Sequence, residues 1–344
     1  MSNYSDIIRA AQTRIGAKCK ACAVCDGRAC SNHIPGPGSK GIGDTAIRNY
    51  EKWKEIRVVM DTISNSNNPD PSFSAFGKVF KFPLFAGPVG AVDQHYSDAY
   101  DDLRYNSVLL RACAEAGIAA FTGDGINPKV MESAAQALIE TDGIGIPTIK
   151  PWNMDLIRDK LSLVLSSGCF AVAMDVDAAG LPFLQGLTPS AGCKSTNEMR
   201  EIIKMSARPF IIKGIMSIKG AEKAYKAGAS AIVVSNHGGR VLDQCAATAE
   251  VLPEIADAMK GSGMHIFVDG GIRSGTDIFK AIAAGADAVL IARPYVVSVY
   301  GGGETGAKLY TEKLYKEFVD SMQMCGAASL HEICRDMIRL PQSS

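Results

Sequence analysis

The sequence predicts an α/β fold, a (β/α)8 TIM barrel preceded by an N-terminal extension. Two patterns indicate this fold: short apolar runs alternate with longer segments of helical periodicity, and polar residues follow several of the runs. Strands buried on both faces read as continuous apolar runs, and their alternation with helices predicts right-handed crossovers and a parallel sheet. Eight such units match a (β/α)8 barrel, whereas a doubly wound sheet does not need eight consecutive units.

The candidate strands are apolar runs of six to eight residues, separated by helical segments such as 131–140, 154–168, 198–206 and 218–228. We expect residues 1–82 to form an extension packed on the barrel, and residues 83–344 to form the barrel and its C-terminal helices. In chain order the candidate strands are Phe82–Gly87, Ile118–Gly123, Gly145–Lys150, Phe170–Asp177, Pro209–Gly214, Ser230–Asn236, His265–Gly271 and Asp287–Arg293.

Composition excludes several functional classes. The 344 residues are 47% hydrophobic and 21% charged, with a formal net charge of zero, so the chain offers no general attraction to nucleic acid or to a membrane surface. No stretch reaches the roughly 18 apolar residues of a membrane span, and the N-terminus lacks the apolar core of a signal peptide. We therefore expect a cytoplasmic protein that acts on a small molecule and binds neither nucleic acid nor membrane.

Polar residues stand where a barrel would place its chemistry, because barrel active sites lie at the carboxyl ends of the strands. The clearest example is the segment SNHGGR, residues 235–240, which directly follows an apolar run. A turn would also explain its glycines. Five candidate strands end in or precede such residues, namely Asp177 at the fourth, Lys213 at the fifth, His237 and Arg240 at the sixth, Asp269 and Arg273 at the seventh, and Arg293 at the eighth.

The seventh and eighth units indicate a phosphate site. Glycines and Arg273 stand between a strand and a helix, and Arg293 follows the next strand. Backbone N–H groups at a helix start bind phosphate together with guanidinium groups, and such sites recur at these two strands of many barrels. The alternative is that both arginines form ion pairs at the barrel rim.

The segments IIKG, VVSNHGGRVLD and VDGGIRSGTDIFKAIAAGADAVLIARP, in this order and spacing, resemble the FMN-dependent α-hydroxy-acid oxidase and dehydrogenase family, which includes glycolate oxidase and lactate oxidase. The resemblance is close over residues 211–294, looser after them, and faint before about residue 170. It implies a flavoprotein oxidoreductase that uses FMN to oxidise a 2-hydroxy acid to a 2-oxo acid. It also suggests a homo-oligomer, specifically a tetramer.

The resemblance implies a catalytic role for four residues. His237 would act as the base toward the substrate's α-hydroxyl or α-carbon, and Asp177 would favour its protonated form. Lys213 would stabilise negative charge on the reduced flavin ring, although a strand-end lysine can also be a rim ion pair. Arg240, together with His237, would bind the substrate, its planar guanidinium holding the carboxylate.

The resemblance also implies a set of FMN contacts that runs from the flavin ring to the phosphate. Residues toward the isoalloxazine would be Ser235, Thr122 and the backbone from Pro88 to Gly90. Those toward the phosphate would be Gly271, Arg273, Ala292 and Arg293, with Asp269 near the ribityl chain.

The departures from the family pattern fall mainly on the substrate side. GPGSKGIGD near Pro37 replaces the segment with a carboxylate-binding tyrosine, Pro147-Thr148-Ile149-Lys150 replaces a Gln-x-Tyr motif, and Asp175 replaces a threonine that usually meets the flavin. No arginine occurs between Asp177 and Glu198, where a second one usually binds the carboxylate, and Lys194 is the only cation there. We expect the residues that contact the flavin to follow the family pattern, and those that contact the substrate to differ from it.

A cysteine-rich arm in the extension is the second unusual feature, with the spacing C-x₂-C-x₂-C-x₄-C. This spacing is close to that of ferredoxins and compatible with a [4Fe–4S] cluster, while C-x₂-C pairs also bind zinc. The third alternative is an arm of thiols or an incidental disulfide. A cluster would favour a dehydrogenase with an electron acceptor other than oxygen. The candidate ligands are Cys19, Cys22, Cys25 and Cys30, and the nearby basic residues expected to lower their pKa are Arg14, Lys18, Lys20 and Arg28.

The sequence therefore predicts an FMN-dependent 2-hydroxy-acid dehydrogenase or oxidase and leaves the choice between the two open. One alternative is a flavoprotein barrel that acts on a non-carboxylate or phosphorylated substrate, as isopentenyl-diphosphate isomerase does; that family shares the phosphate site but not SNHGGR. The other is a flavin-binding redox sensor without turnover, in which the cysteine arm signals.

Overall fold

Residues 3–184, 186–188 and 190–341 are described by the computed structural model, and they form an α/β barrel. Eight parallel strands follow one another around the barrel, which closes where Val289 of the last strand pairs with Leu84 of the first. The predicted (β/α)8 fold is confirmed. The barrel strands are β1 (Leu84–Ala86), β2 (Ala119–Thr122), β3 (Ile146–Ile149), β4 (Val172–Asp175), β5 (Phe210–Ile215), β6 (Ala231–Val234), β7 (His265–Val268) and β8 (Ala288–Ile291).

Helices alternate with these strands, as the periodicity predicts. Most begin at a side-chain cap, such as Ser195 and Ser274, each of which forms a capping box with an acidic residue three positions on. The helices are α1 (Tyr4–Arg14), α2 (Asp44–Glu55), α3 (Val92–His95), α4 (Asp102–Glu115), α5 (Pro128–Glu140), α6 (Met154–Leu165), α7 (Thr196–Ser206), α8 (Ile218–Ala227), α9 (Thr248–Ala258), α10 (Gly275–Ala283) and α11 (Arg293–Met324). None of the helices in the described ranges is long and apolar enough to cross a membrane.

Aromatic side chains fill the amino end of the barrel. The rings of Phe85 and Phe267 lie 5.4 Å apart inside it. A hairpin of Phe73–Ala75 and Lys78–Phe80 covers this end, and Phe73 packs edge to face on both of those rings. Because this end is packed with apolar rings, the carboxyl ends of the strands are left for the site.

The extension packs on the barrel at several places. Helix α1 packs against α11, and the short strand Arg57–Val58 pairs antiparallel with Ile338–Arg339. Between α1 and α2, the described residues 15–43 contain neither helix nor strand. We call residues 15–35 the cysteine loop and residues 36–43 the bridging segment, because the latter reaches the loop after β6.

Seven of the eight barrel strands are shorter than the apolar runs that predict them. Asp177, expected at the end of a strand, lies in a 3₁₀ turn over Val176–Gly180 that follows β4. His237 begins a second 3₁₀ turn, His237–Gly239, after β6. Both side chains are therefore carried by tight turns at the carboxyl ends of their strands, while β5 continues to Ile215, one residue beyond the predicted run.

Candidate active site

A cavity of about 610 Å³ opens at the carboxyl ends of the barrel strands. Its volume falls within the usual range for a cofactor or ligand site, roughly 300–1,000 Å³. Asp177 and Ser235 do not line the cavity, but each contacts a residue that does. Asp177 contacts His237, and Ser235 contacts Lys213. The predicted site residues that line it are Pro88, Gly90, Lys213, His237, Arg240, Asp269, Gly271, Arg273, Ala292 and Arg293.

His237 and Asp177 form a pair at this cavity. His237 Nδ1 lies 3.0 Å from Asp177 Oδ1. Burial would raise the pKa of Asp177, but the charges of His237 and Lys213 and the hydrogen bond from His237 outweigh it, so the pKa of this carboxyl is lowered. When the imidazole is neutral, donation of Nδ1–H to the ionised Asp177 leaves Nε2 as the proton acceptor.

The backbone at His237 is held in an uncommon conformation. His237 has a φ of +55°, and Gly238 and Gly239 follow it with φ of +61° and +78°. The His237 N–H donates to Ser235 Oγ at 3.2 Å, and the Gly238 N–H donates to Asn236 Oδ1 at 3.1 Å. Side-chain hydrogen bonds thus stabilise a left-handed turn that aims the imidazole into the cavity.

The extension supports this turn through a reciprocal amide pair. Asn49 of α2 donates to Asn236 Oδ1 at 2.7 Å and accepts from Asn236 Nδ2 at 2.9 Å. Both side chains are buried. Because Asn49 also accepts from the N–H of Thr248, at the start of α9, one extension residue fixes the loop after β6 at both ends.

Lys213 lies buried at the floor of the cavity, 3% exposed. Its Nζ donates to Ser235 Oγ at 3.0 Å and lies 3.5 Å from Asp269 Oδ2. Burial would lower the pKa of Lys213, but Asp269, Asp177 and Asp175 raise it, so the ammonium is charged at neutral pH. The floor of the site therefore carries a fixed positive charge.

Arg240 lies at the wall of the cavity, held by the extension. Its Nη1 donates to the carbonyl oxygens of Gly36 at 2.8 Å and Gly38 at 2.7 Å, and its Nη2 lies 3.0 Å from His95 Nε2. Burial, with the charges of Arg240 and Lys18, lowers the pKa of His95 to about 3, so this imidazole is neutral. A guanidinium has five N–H groups, so the two carbonyl contacts leave N–H groups of Arg240 for a ligand.

Two departures from the family pattern meet in the structure. Lys150, at the end of β3, lies with its Nζ 2.9 Å from Asp175 Oδ2, at the end of the neighbouring strand β4. Asp175 is 1% exposed and Lys150 lines the cavity. The two residues are a buried ion pair on the wall where the family has neutral side chains.

A second buried carboxylate organises the loops after β2 and β3. Asp124 accepts from Lys160 Nζ at 2.6 Å, from Trp152 Nε1 at 2.8 Å and from the N–H of Lys150 at 2.9 Å. These contacts satisfy a buried charge and fix the backbone at Lys150. Asp124 also lines the cavity, although its oxygens are occupied by these donors.

The structure offers the features that FMN requires. The described residues leave the buried Thr122 Oγ1, Thr148 Oγ1 and Asp269 Oδ1 without a hydrogen-bond partner, at the carboxyl ends of β2, β3 and β7. Buried polar atoms are normally paired, so these indicate a polar ligand. Glycine at position 123 lets the loops after β1 and β2 pack closely beside these atoms, since a Cβ there would stand 2.2 Å from the carbonyl oxygen of Val89. These features fit FMN.

The corner predicted to bind phosphate lies between β7 and α11. Gly271 has a φ of +82°, and a Cβ there would stand 2.1 Å from the carbonyl oxygen of Asn49, so only glycine fits. Arg293 lines the cavity with Ala292 and reaches the carbonyl oxygen of Pro37 at 3.5 Å. The Arg273 guanidinium is only partly available to a phosphate, because its Nε donates to the carbonyl oxygen of Cys25 at 2.7 Å.

The four arm cysteines line one smaller cavity of about 30 Å³. The expectation that basic neighbours lower the pKa of these thiols is wrong for three of them, since burial raises the pKa of Cys19 to about 12 and also raises those of Cys22 and Cys30. Arg28, one of the expected bases, is paired instead with Asp26 and Glu51.

One other group of side chains has the spacing of a metal site. Ligand atoms of Asp175, Asp177 and His237 lie within 4.8 Å of one another, the only such triple among the described histidine, cysteine and acidic residues. Lys150 pairs with Asp175, and Lys213 carries its charge nearby. Two ammonium groups oppose a cation here, so the triple is better explained as a base, its carboxylate partner and an ion pair.

Sequence reasoning missed three supporting residues of the site: Asn49, His95 and Asp124. Each acts through a partner that is distant in the chain; Asn49 and Asn236, for example, are 187 residues apart. One signal was available for Asp124, because an aspartate directly after an apolar run and a glycine stands at a strand's carboxyl end.

Comparisons with known proteins place this geometry in a family. The model of the FMN-dependent dehydrogenase family matches residues 37–183 and 186–340. A peroxisomal (S)-2-hydroxyacid oxidase of Arabidopsis thaliana is 41% identical over 150 residues, which are 44% of this chain and 40% of that protein. An L-lactate oxidase of Lactobacillus jensenii is 28% identical over 85% of this chain and 77% of its own. The chain thus spans about two fifths of the plant relative.

Solved structures show the same fold. A mandelate oxidase with (S)-4-hydroxymandelic acid has a TM-score of 0.80 at 23% identity, and the match covers 99% of both chains. The chain belongs to the FMN-dependent dehydrogenase family, so the sequence-based recognition is confirmed. FMN is the cofactor that defines this family, and the fit of the cavity agrees with it.

Proposed function

We propose that the protein is an FMN-dependent oxidoreductase that converts a 2-hydroxy acid to a 2-oxo acid. The observation that carries this proposal is the His237–Asp177 pair, 3.0 Å apart, beside a cavity whose floor holds the Lys213 ammonium. When bound, FMN supplies a two-electron acceptor at that cavity. The protein supplies the base, the charges and the exclusion of water.

The proton leaves the substrate at His237 Nε2. As the imidazole takes it up, the ionised Asp177 stabilises the imidazolium through Nδ1–H, which lowers the barrier to the step. Lys213 would stabilise negative charge on the reduced ring, and its buried position would strengthen that interaction. The proposed roles of Ser235 and Thr122 are to contact the ring edge, as the free Thr122 hydroxyl supports.

Arg240 is the proposed carboxylate ligand. Its Nη1 donates to two carbonyl oxygens of the bridging segment, so the guanidinium is preorganised and keeps other N–H groups for a substrate carboxylate. Three apolar side chains, Leu181, Phe183 and Leu184, also line the cavity, and the Phe183 ring lies 5.2 Å from that of His95, the neighbour of Arg240. We therefore favour a 2-hydroxy acid with an apolar side chain over glycolate.

The phosphate of FMN would lie at Gly271, Ala292 and Arg293, with Asp269 near the ribityl chain. Pro88 and Gly90 line the same cavity and would lie along the ring. Arg273 contributes a charge at this corner, although its Nε is engaged by the cysteine loop.

The test is an anaerobic panel of 2-hydroxy acids, glycolate, lactate, 2-hydroxyisocaproate and mandelate, added to the FMN-loaded protein. We expect loss of flavin absorbance with at least one acid, fastest with an apolar side chain, and one equivalent of 2-oxo acid per FMN. A flavin that stays oxidised with every acid would contradict the proposal and favour a sensor. Reduction only by a non-carboxylate or phosphorylated substrate would favour the isopentenyl-diphosphate-isomerase type of chemistry.

The proposal includes three further properties. We propose a cytoplasmic location, which is supported by the fact that none of the ten cysteines, all within the described residues, forms a disulfide. We propose a homo-oligomer, and a tetramer in particular, on the resemblance to the family; light scattering of the purified protein tests it.

We also propose a metal centre at the cysteine loop, for which zinc and an iron–sulfur cluster are the candidates.

A further inference from the structure

The cysteine loop is long, irregular and built around its thiols. Cys19, Cys22, Cys25 and Cys30 all line one enclosed cavity, and each is partly buried. Long loops without secondary structure are uncommon in compact domains and are usually functional. Positive φ angles at Ala21 and Gly27, +41° and +89°, turn the backbone between the cysteines so that the side chains converge.

The sulfur atoms are spaced more widely than one zinc ion requires. A single zinc ion holds its four thiolates tetrahedrally at about 2.3 Å, which brings the sulfurs to about 3.8 Å from one another. No three cysteine sulfurs within the described residues lie within 4.8 Å of one another. A four-iron cluster separates its thiolates further, because the iron and sulfide atoms stand between them.

The space between the thiols also favours a cluster over a single zinc ion. The cavity of about 30 Å³ is roughly two to three times what one buried water needs, whereas a zinc ion fits between its ligands without a cavity. The site is wider and emptier than a zinc knot, as a cluster requires.

Two arginines match the charge of such a cluster. Four thiolates and a cluster core of charge +2 give a net charge of −2. Arg293 lines the cysteine cavity, and Arg273 Nη2 lies 3.8 Å from Cys25 Sγ while its Nε donates to the carbonyl oxygen of Cys25. Hydrogen bonds and charges around the sulfurs are what tune such a centre.

The two cavities share a wall. Pro37, Tyr96 and Arg293 line both the large cavity and the cysteine cavity. Arg293, a proposed ligand of the FMN phosphate, therefore also faces the thiols. A redox centre in the smaller cavity would lie next to the proposed FMN, on the side of its phosphate.

We propose that Cys19, Cys22, Cys25 and Cys30 bind a [4Fe–4S] cluster that carries electrons away from the reduced flavin; the electron-transfer role rests on the proposed function. Oxidation of one hydroxy acid to an oxo acid releases two electrons and two protons. The electrons leave one at a time through the cluster to two equivalents of a one-electron carrier protein, and the protons pass to water. The protein is then a dehydrogenase rather than an oxidase.

The first test is metal and sulfide analysis of protein purified without oxygen, followed by incubation with ferrous iron and sulfide under reducing conditions. We expect about four iron and four sulfide per chain, and an electron paramagnetic resonance signal after dithionite reduction. One zinc per chain that iron does not displace, or no metal uptake after reconstitution, overturns the cluster.

Variants test the ligands. Cys22→Ser should lose most of the iron and the resonance signal while it keeps bound FMN, because Cys22 lines the cysteine cavity but not the large one. Cys334→Ser is the matched control, since Cys334 is exposed and lies outside the loop, and it should keep all four irons. Full iron content in Cys22→Ser would show that the ligand assignment is wrong.

The electron-transfer role has its own readout. A hydroxy acid that bleaches the flavin should also produce the cluster signal in the wild-type protein, and not in Cys22→Ser. A dithionite signal without a substrate signal leaves the cluster in place and overturns its role as the electron exit. Flavin reduction in a protein that binds no iron contradicts only the cluster, whereas a loaded cluster beside a flavin that no acid reduces contradicts only the proposed function.

Discussion

Lys150 and Asp175 form a buried ion pair, with Nζ 2.9 Å from Oδ2, on adjacent barrel strands at the wall of the cavity. Each replaces a neutral residue of the family pattern, and each compensates the charge of the other. A change at one position alone would leave a buried charge unpaired, so we interpret the two departures as a single coupled one.

Lys150→Met should destabilise the fold by about 3 kcal/mol, because it leaves the Asp175 carboxylate buried without its partner. Lys308→Met is the control, since Lys308 pairs with Glu115 on the surface and such pairs contribute about 1 kcal/mol or less. Urea unfolding measures both. A double variant with Asp175→Asn should recover part of the loss. Equal costs for the two lysine variants would show that the Lys150 pair is no more important than a surface one.

His237→Ala should retain FMN but reduce it at least about a hundredfold more slowly with a hydroxy acid, since a positioned base contributes roughly 10²- to 10⁴-fold. Stopped-flow absorbance under anaerobic conditions measures the rate. His331→Ala, which changes an exposed histidine far from the cavity, should reduce at the wild-type rate. Normal reduction by His237→Ala would mean that another group is the base.

Arg293→Ala should weaken FMN binding by roughly tenfold to a hundredfold, as expected when charge-assisted hydrogen bonds worth about 1.5–3 kcal/mol are removed. Fluorescence titration of the apoprotein with FMN measures this. Arg158→Ala is the control, because Arg158 is an exposed partner of Asp155 on α6. Unchanged affinity in Arg293→Ala would place the phosphate elsewhere.

Acid should destabilise the fold through His95. Its pKa is lowered to about 3 in the folded protein, first by burial and then by Arg240, and is about 6.5 when unfolded. Between these values the unfolded chain binds more protons, so stability is lost as the pH falls below about 6.5, by up to about 1.4 kcal/mol per unit.

His95→Gln removes this titration and keeps a polar side chain beside Arg240. Urea unfolding at pH 7 and pH 5 gives the free energy of unfolding of the wild type and of His95→Gln. Between pH 7 and pH 5, the wild type should lose about 2 kcal/mol more than the variant. If both proteins lose stability in parallel, His95 is not held neutral in the folded state.

The barrel was predictable because its strands are buried on both faces and therefore read as continuous apolar runs. The position of the site was also predictable, because the carboxyl ends of all eight strands lie at one end of a barrel, and polar residues follow several of them. The strand boundaries were less accurate. The last residues of several runs, including Asp177, leave the sheet for turns whose geometry depends on side-chain hydrogen bonds rather than on hydrophobicity.

The supporting contacts could not be predicted in the same way. Arg240 is held by the carbonyl oxygens of Gly36 and Gly38, and every residue has a carbonyl, so no sequence pattern marks these acceptors. Lys150 and Asp175 were both recognised as departures, but their pairing depends on the register of β3 and β4. The thiol pKa values were expected to fall because the basic neighbours were counted without the effect of burial.

The bridging segment has a consequence for how the protein is made. Ser39 donates to the carbonyl oxygen of Gly238, 199 residues further along the chain. At roughly 5–20 residues per second, a ribosome needs about 10–40 s to synthesise that distance, and during this time the segment has no partner to close on. The four cysteines leave the ribosome before the first barrel strand, so they stay accessible to cellular metal-delivery factors throughout that interval. Metal loading during that interval would need no opening of the barrel mouth, whereas loading of the folded protein would require that mouth to reopen.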